Sequence, residues 1–383
     1  MNTELHPGFD HHPRTRLVFG AETLERVGEL ARELGGKQVL LVTDKGLAAA
    51  GHPARAVSFL EAADLRVTVF DEVRENPTTV DVDRCVEIAR AAGIDMIVGL
   101  GGGSSMDTAK GANFLLTNGG RMQDYWGVGK ATKAMLPLIA IPTTAGTGSE
   151  CQSFALISDE TTHQKMACGD AKAAAKIAIL DPLLTVSQPA RVTACTGIDA
   201  IAHAFETAVT KKRNPLSAMY SREAFRLCFG AIERVLDDPR DLEARSRMQL
   251  GAAFAGTAIE NSMLGAAHSA ANPLTAHYGI AHGQAVGLML PAVIEFNARD
   301  NEAHNCYLEL AMIAGLASLD DLIGELDTIL DAARMREGIA KLGIDRAAFP
   351  KLAAEAAQQW TAGFNPRRID AQDFEELYAE VLG

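Results

Sequence analysis

Asp199 and His203 stand four residues apart in TGIDAIAHAFE. On a helix that spacing puts a carboxylate and an imidazole on one face, one turn apart. Residues 268–283, HSAANPLTAHYGIAHG, add His268, His277 and His282. MLGAAHSAAN reads as apolar helix up to a break at Asn272-Pro273, and HGQAVGLMLP as a new helix starting at His282. Two helices meeting at a break direct His268 and His282 inward. With Asp199 and His203 they make one carboxylate and three imidazoles, a donor set that suits zinc, ferrous iron, nickel or copper and leaves room for a substrate oxygen. The alternatives are a helix-stabilising Asp/His pair and hydrogen-bonded core histidines.

A second group of residues lies at the ends of apolar runs. DMIVGLGGGSSMDTAKGANFLL reads as a buried strand, a glycine turn and a helix beginning near Ser104, with Ser104 and Asp107 as a capping box. Backbone N–H groups at such a helix start approach an anion closely, and pyrophosphate is the obvious guest. GGGSSMD lacks the third glycine of the GxGxxG fingerprint, so an ordinary tight turn is the competing reading. QVLLVT ends in Asp44, whose carboxylate suits the hydroxyls of an adenosine ribose and repels a 2'-phosphate. The next run leads to Asn76, and PLIAIP leads to Thr143, Thr144, Gly146, Thr147, Gly148 and Ser149, a loop rich in hydroxyls and exposed amides. A cap or turn role is the alternative for Asp44 and Asn76.

The elements that must position these groups follow from periodicity. Between about residues 37 and 180, QVLLVTD, LRVTVFDEV, DMIVGLGGG, PLIAIPTT and AKIAILDP alternate with helical segments, which implies a mostly parallel sheet covered on both faces. In TVDVDRCVEIARAAG, Val80, Cys85, Val86 and Ala89 share a face. Beyond about residue 188 the pattern turns helical, with SREAFRLCFGAIERVL, ARSRMQLGAAFAGTAIENSML and DDLIGELDTILDAARMREGIAKLG. The breakers in VSQPARVTACTGID place a boundary near Pro189. The expected organisation is an α/β dinucleotide-binding domain over 1–188 and an all-helical metal-binding, catalytic domain over 189–383.

A chain of 383 residues buries two cores without disulfide staples. Cys85, Cys151, Cys168, Cys195, Cys228 and Cys306 show no metal-knuckle spacing and fit free thiols in a reducing compartment. MNTELHPGFDHHPRTRL has no apolar signal core, and no run matches a bilayer span, so a cytoplasmic protein without a membrane partner is expected. With 36 basic and 49 acidic residues the net charge is -13, the wrong sign for nucleic acid. His6, His11, His12, His52, His163 and His304 have no supporting neighbours in sequence, and KKRN at 211–214 reads as a solvated loop.

GGGSSMDTAK, IPTTAGTGSE, GIDAIAHAFE and HSAANPLTAHYGIAHG, in this order and spacing, resemble the iron-containing, group III alcohol dehydrogenases of dehydroquinate synthase-like fold. The resemblance runs from RLVFGAETL to FNPRRIDAQDFEELYAEVL. It implies an iron ion, with zinc as a substitute, held by Asp199, His203, His268 and His282. It also implies NAD bound by Asp44, Asn76, Gly102, Gly103, Ser104, Thr143, Thr144, Thr147, Ser149 and Lys165, and a homodimer or larger homo-oligomer. The implied reaction is reversible hydride transfer between a small alcohol or aldehyde and NAD(H), with the metal polarising the substrate oxygen in the cleft between the domains.

Two positions depart from the family pattern. Many members carry a histidine four residues after the third ligand, where this chain has Asn272, and His277 stands where an aromatic residue is usual. Asparagine exchanges no protons, so the expectation is that His277 or a ribose–water chain relays the proton, with Asn272 binding substrate or orienting a ligand. Alternatives on the same scaffold are a zinc polyol (glycerol-type) dehydrogenase and a lyase resembling dehydroquinate synthase; a non-catalytic NAD- or metal-binding protein is the rival from another class.

Overall fold

Among the described residues nine strands form two sheets: β1 (Arg16–Phe19), β2 (Gln38–Val42), β3 (Arg66–Phe70), β4 (Met96–Gly101), β5 (Gly127–Val128), β6 (Leu138–Pro142), β7 (Phe154–Ser158), β8 (Lys165–Gly169) and β9 (Ile177–Leu180). The computed structural model describes residues 8–162 and 164–383; His6 and His163 lie outside them. The main sheet has the order β1-β9-β6-β4-β2-β3 with every pair parallel. Its central strands are buried on both faces, which is why they read as unbroken apolar runs. Helices α1 (Val27–Glu33), α2 (Lys45–Ala50), α3 (His52–Ala62), α4 (Thr79–Ala92) and α5 (Gly103–Asn118) connect and cover it.

The sequence reading missed the small sheet β5-β8-β7, whose β7–β8 pair is antiparallel. It lies against the buried helix α5, and Ile157 of β7 packs beside Gly111. The apolar face of α4 also needs correction. Val80 is exposed, and Val82 joins Cys85, Val86 and Ala89 inside.

Ten helices make up the second half: α6 (Ala190–Thr207), α7 (Pro215–Phe229), α8 (Ile232–Asp237), α9 (Leu242–Ser262), α10 (Ala266–Tyr278), α11 (His282–Asn297), α12 (Asn301–Ile313), α13 (Leu319–Ala332), α14 (Phe349–Ala357) and α15 (Ala371–Leu382). By internal contacts, the described chain divides into His12–Thr144 with Gly148–Gln188, and Pro189–Gly383 with Ala145–Thr147 and Gly8–His11.

Two helix boundaries differ from the expectation. SREAFRLCFGAIERVL is two helices, interrupted at Gly230 between α7 and α8. The break at Asn272-Pro273 is absent: α10 starts at Ala266, runs through Pro273 and stops where Gly279 adopts φ 65°. Proline removes one backbone bond inside the helix, but Pro273 and Leu274 are buried and α10 packs on α6, α11 and α14. Tertiary burial outweighs the local penalty. Among the described residues no helix is long and apolar enough to cross a membrane. All six cysteines are free, five of them buried.

Candidate metal centre and dinucleotide edge

Helix α6 carries Asp199 and His203 on one face, both buried. His268 is the third residue of α10, close to its start, and His282 is the first residue of α11. The approach of α11 depends on Gly283, where a Cβ would lie 1.9 Å from the Cys195 carbonyl oxygen of α6. Any side chain there would push His282 away from Asp199.

Three imidazoles face one carboxylate oxygen. Asp199 Oδ1 lies 3.4 Å from His203 Nε2, 3.3 Å from His268 Nε2 and 3.8 Å from His282 Nε2. Donor atoms of Asp199, His268 and His282 all fall within 4.8 Å of one another. Two donors each about 2.1 Å from one tetrahedral ion lie roughly 3.4 Å apart, which matches the Asp199–His203 and Asp199–His268 separations; His203 stands outside the group of three and joins the set through Asp199. The chemistry of the set, one carboxylate oxygen and three imidazole nitrogens, fits a borderline divalent cation.

The electrostatics agree with a site built for positive charge. Burial opposes ionisation of Asp199, but His203, His268 and His282 hold its pKa well below the carboxylate range. Burial draws His203 down to about 4 against the pull of Asp199. Burial also disfavours charge on His268, yet Glu206 and Asp199 push that imidazole up to about 9. Glu206, which sequence reasoning missed, places Oε2 2.5 Å from His268 Nδ1. The available signal was its spacing: 199, 203 and 206 are i, i+4 and i+7 on one helix face.

Asn272 and His277 occupy the rest of α10. Asn272 donates from Nδ2 to Gln359 Oε1 at 3.0 Å. His277 is exposed, pairs with Glu355 Oε2 at 2.7 Å, and stands nine residues beyond His268. That is about 13 Å along the helix axis.

In the α/β unit, parallel pairing brings the C-terminal ends of β2, β3, β4 and β6 to one edge. Asp44, after β2, is the N-cap of α2 and accepts from the Leu47 N–H at 3.0 Å. Asn76 adopts a left-handed φ of 52°. Its N–H donates to Ser104 Oγ at 3.2 Å and its Oδ1 accepts from Lys165 Nζ at 3.4 Å, so these three residues meet. Gly101 has φ +152°, and a Cβ there would lie 2.3 Å from Ser105 Oγ.

The capping box expected of Ser104 and Asp107 is not formed. Gly102 is the N-cap of α5 and supplies no side chain, and the helix begins at Gly103. Asp107 is instead drawn inside, where it accepts from Ser149 Oγ at 3.1 Å. Fully buried Lys110 donates to the Ser149 carbonyl at 2.6 Å, to Ser149 Oγ at 2.9 Å and to the Phe154 carbonyl at 2.9 Å. The Ser149 hydroxyl is thereby committed to an internal network. Thr143 is buried, with its N–H on the Gly101 carbonyl and its own carbonyl accepting from Gln188 Nε2. Thr144 sits beside Gly102. Thr147 belongs with the helical unit.

Comparison with known proteins decides the lineage. Residues 13–182 match the iron-containing alcohol dehydrogenase family, and residues 193–382 match its C-terminal region, described as the Fe-containing alcohol dehydrogenase family, C-terminal. The chain belongs to the iron-containing alcohol dehydrogenase family. It is thus an oxidoreductase acting on alcohols. The chain is 32% identical to an NAD-dependent methanol dehydrogenase of Bacillus methanolicus, over 95% of its own length and 97% of the relative's. It is 34% identical to a 4-hydroxybutyrate dehydrogenase of Cupriavidus necator, over 96% and 97%. The solved structure of a 1,3-propanediol oxidoreductase superposes with a TM-score of 0.93 at 31% identity, covering 98% of this chain and 100% of that one.

Proposed function

We propose that this member of the family is an NAD(H)-linked, metal-dependent dehydrogenase for primary alcohols on short chains, with the ion held by Asp199, His203, His268 and His282. The observation that carries this reading is the convergence of three imidazole Nε2 atoms on Asp199 Oδ1. A divalent cation at these donors supplies Lewis acidity toward an alcohol or carbonyl oxygen, and NAD supplies the hydride acceptor. Methanol, 1,3-propanediol and 4-hydroxybutyrate, named for the relatives, each carry a primary hydroxyl.

The residues divide the work. Ionised Asp199 contributes the single negative charge among the four donors; His203 offers a neutral lone pair, and His268 would give up a proton to the cation that it binds. Asp44 selects the adenosine ribose over its 2'-phosphate, and the open N-terminus of α5 at Gly102, Gly103 and Ser104 takes the pyrophosphate. Lys165, held toward Ser104 through Asn76, adds a cation beside that anion. Thr143, Thr144, Thr147 and Ser149 complete the proposed cofactor residues, Ser149 acting by holding its loop on Lys110. The hydroxyl proton needs a carrier, and Asn272 is not one. His277 faces Glu355 at the far end of α10, which favours a ribose–water route. The α/β unit serves the dinucleotide and the helical unit the metal and catalysis. We place the enzyme in the cytoplasm as a homodimer or larger homo-oligomer; six free thiols support a reducing compartment.

The test is anaerobic loading with ferrous iron or zinc, followed by an NADH-linked screen of small aldehydes, diols and hydroxyacids. NADH consumption with short aldehydes is expected. Product formation without net change in NADH would point to lyase chemistry, and intact NAD binding without turnover to a sensor.

A further inference from the structure

The N-cap of helix α10 is Gly265, which offers no side chain to bond the first N–H groups. Such groups are costly when buried without partners. Two side chains from elsewhere meet them. Asn365 Oδ1 accepts from the Ala266 N–H at 3.2 Å, and Glu206 Oε1 accepts from the Ala267 N–H at 2.7 Å and the His268 N–H at 3.4 Å. The other oxygen of Glu206 is the one 2.5 Å from His268 Nδ1. A single buried carboxylate therefore performs two acceptor tasks at neighbouring points of the helix that carries His268.

We propose that Glu206 is a positioning residue for the metal site, capping α10 and fixing His268 in the tautomer whose Nε2 lone pair faces Asp199. The inference rests on the metal-binding reading above. A carboxylate aimed at Nδ1 keeps a hydrogen there, so a cation that binds beside Asp199 displaces the proton of Nε2 and takes that nitrogen as its donor. A negative charge at the start of α10 is further favoured by the helix dipole. Position 206 is seven residues after Asp199, so one face of α6 presents both the acidic ligand and the carboxylate that aims an imidazole from another helix.

Glutamine at 206 separates these tasks because it preserves shape but has one acceptor oxygen. If that oxygen faces Ala267 N–H, the amide NH2 faces Nδ1 and drives the hydrogen to Nε2, which then cannot ligate. If it faces Nδ1, the NH2 meets the Ala267 N–H and the cap is lost. Metal-free and zinc- or cobalt-titrated wild type, Glu206→Gln and Asp199→Ala are compared by chelator competition, with circular dichroism as the check on folding. Glu206→Gln is expected to weaken zinc affinity about 10–100-fold, the usual cost of an outer-shell partner, and to alter the visible absorption of the cobalt form. Unchanged affinity and spectrum in Glu206→Gln, beside a wild type that binds and an Asp199→Ala that does not, overturns the role of Glu206 alone. Failure of wild type to bind, or binding undiminished in Asp199→Ala, overturns the metal reading itself. If Glu206→Gln does not fold, nitrogen-15 spectra of histidine-labelled, zinc-loaded wild type decide: a protonated His268 Nδ1 is expected, and a bare one contradicts the proposal.

Discussion

His203 and His268 lie ring against ring, with centroids 4.8 Å apart and planes inclined by 19°. Two buried imidazoles stacked in this way do not both carry charge. The two separate accordingly, His203 to about 4 and His268 to about 9. At neutral pH His203 is the ring whose lone pair is free without loss of a proton. His203→Ala should therefore weaken cation binding by at least the roughly 10–100-fold typical of outer-shell losses, measured by competition with a chromogenic chelator. Affinity equal to wild type would remove His203 from the ligand set.

Glu150 gives a pH effect in the other unit. Burial pushes its carboxyl up to about 7 and that of Asp107 up to about 6. A folded pKa above the unfolded value means that the folded chain prefers the proton. The contribution is thus present below about 4.5 and is lost as pH rises through about 7. Glu150→Gln keeps the shape and cannot ionise. Relative to wild type its denaturation midpoint should rise between pH 4 and pH 8, by an amount equivalent to roughly 3 kcal/mol. A difference that is flat across that range contradicts the burial argument.

Cofactor choice turns on Asp44. Serine retains the N-cap bond to Leu47 and removes the charge. Relief of a repulsion worth about 1–4 kcal/mol at 4 Å should raise the preference for NADP over NAD by about tenfold or more. The reading is the ratio of kcat/KM for the two cofactors. No change in that ratio would remove Asp44 from ribose recognition.

The proton route separates Asn272 from His277. Asn272 is one turn beyond His268 on the same face of α10, whereas His277 is exposed against Glu355. His277→Ala should leave the rate and its pH profile close to wild type. Asn272→His should add a titration limb near the ordinary histidine value of about 6.5. A large loss of rate in His277→Ala would restore that residue to the relay.

Strands β2, β4, β6 and β9 were legible in the sequence because double-sided burial writes them as short apolar runs; the edge strand β3 is mostly open to solvent and showed through its β-branched residues. The four residues of β1 and the small sheet left no such signal. The two residues of β5 are too short, and β7 and β8 alternate buried with partly exposed positions without a turn motif between them. Local rules misread Pro273, where packing of α10 keeps the helix intact, and Ser104–Asp107, where Lys110 and Ser149 draw the carboxylate inward. Asp199 and His203 stood out through spacing and His282 through a helix start, whereas His268, expected near a helix end, is the third residue of α10. Glu206 did not, since its partner is 62 residues away in sequence. Which atoms meet across helices is a property of packing, and a single sequence records it only indirectly.

Zinc-edge X-ray absorption on protein loaded with one equivalent of zinc addresses the metal site most directly. The expected first shell is nitrogen and oxygen at about 2.0–2.1 Å with the scattering signature of three imidazole rings. A sulfur neighbour near 2.3 Å, or a shell with fewer than two imidazoles, would contradict a cation gripped by Asp199, His203, His268 and His282.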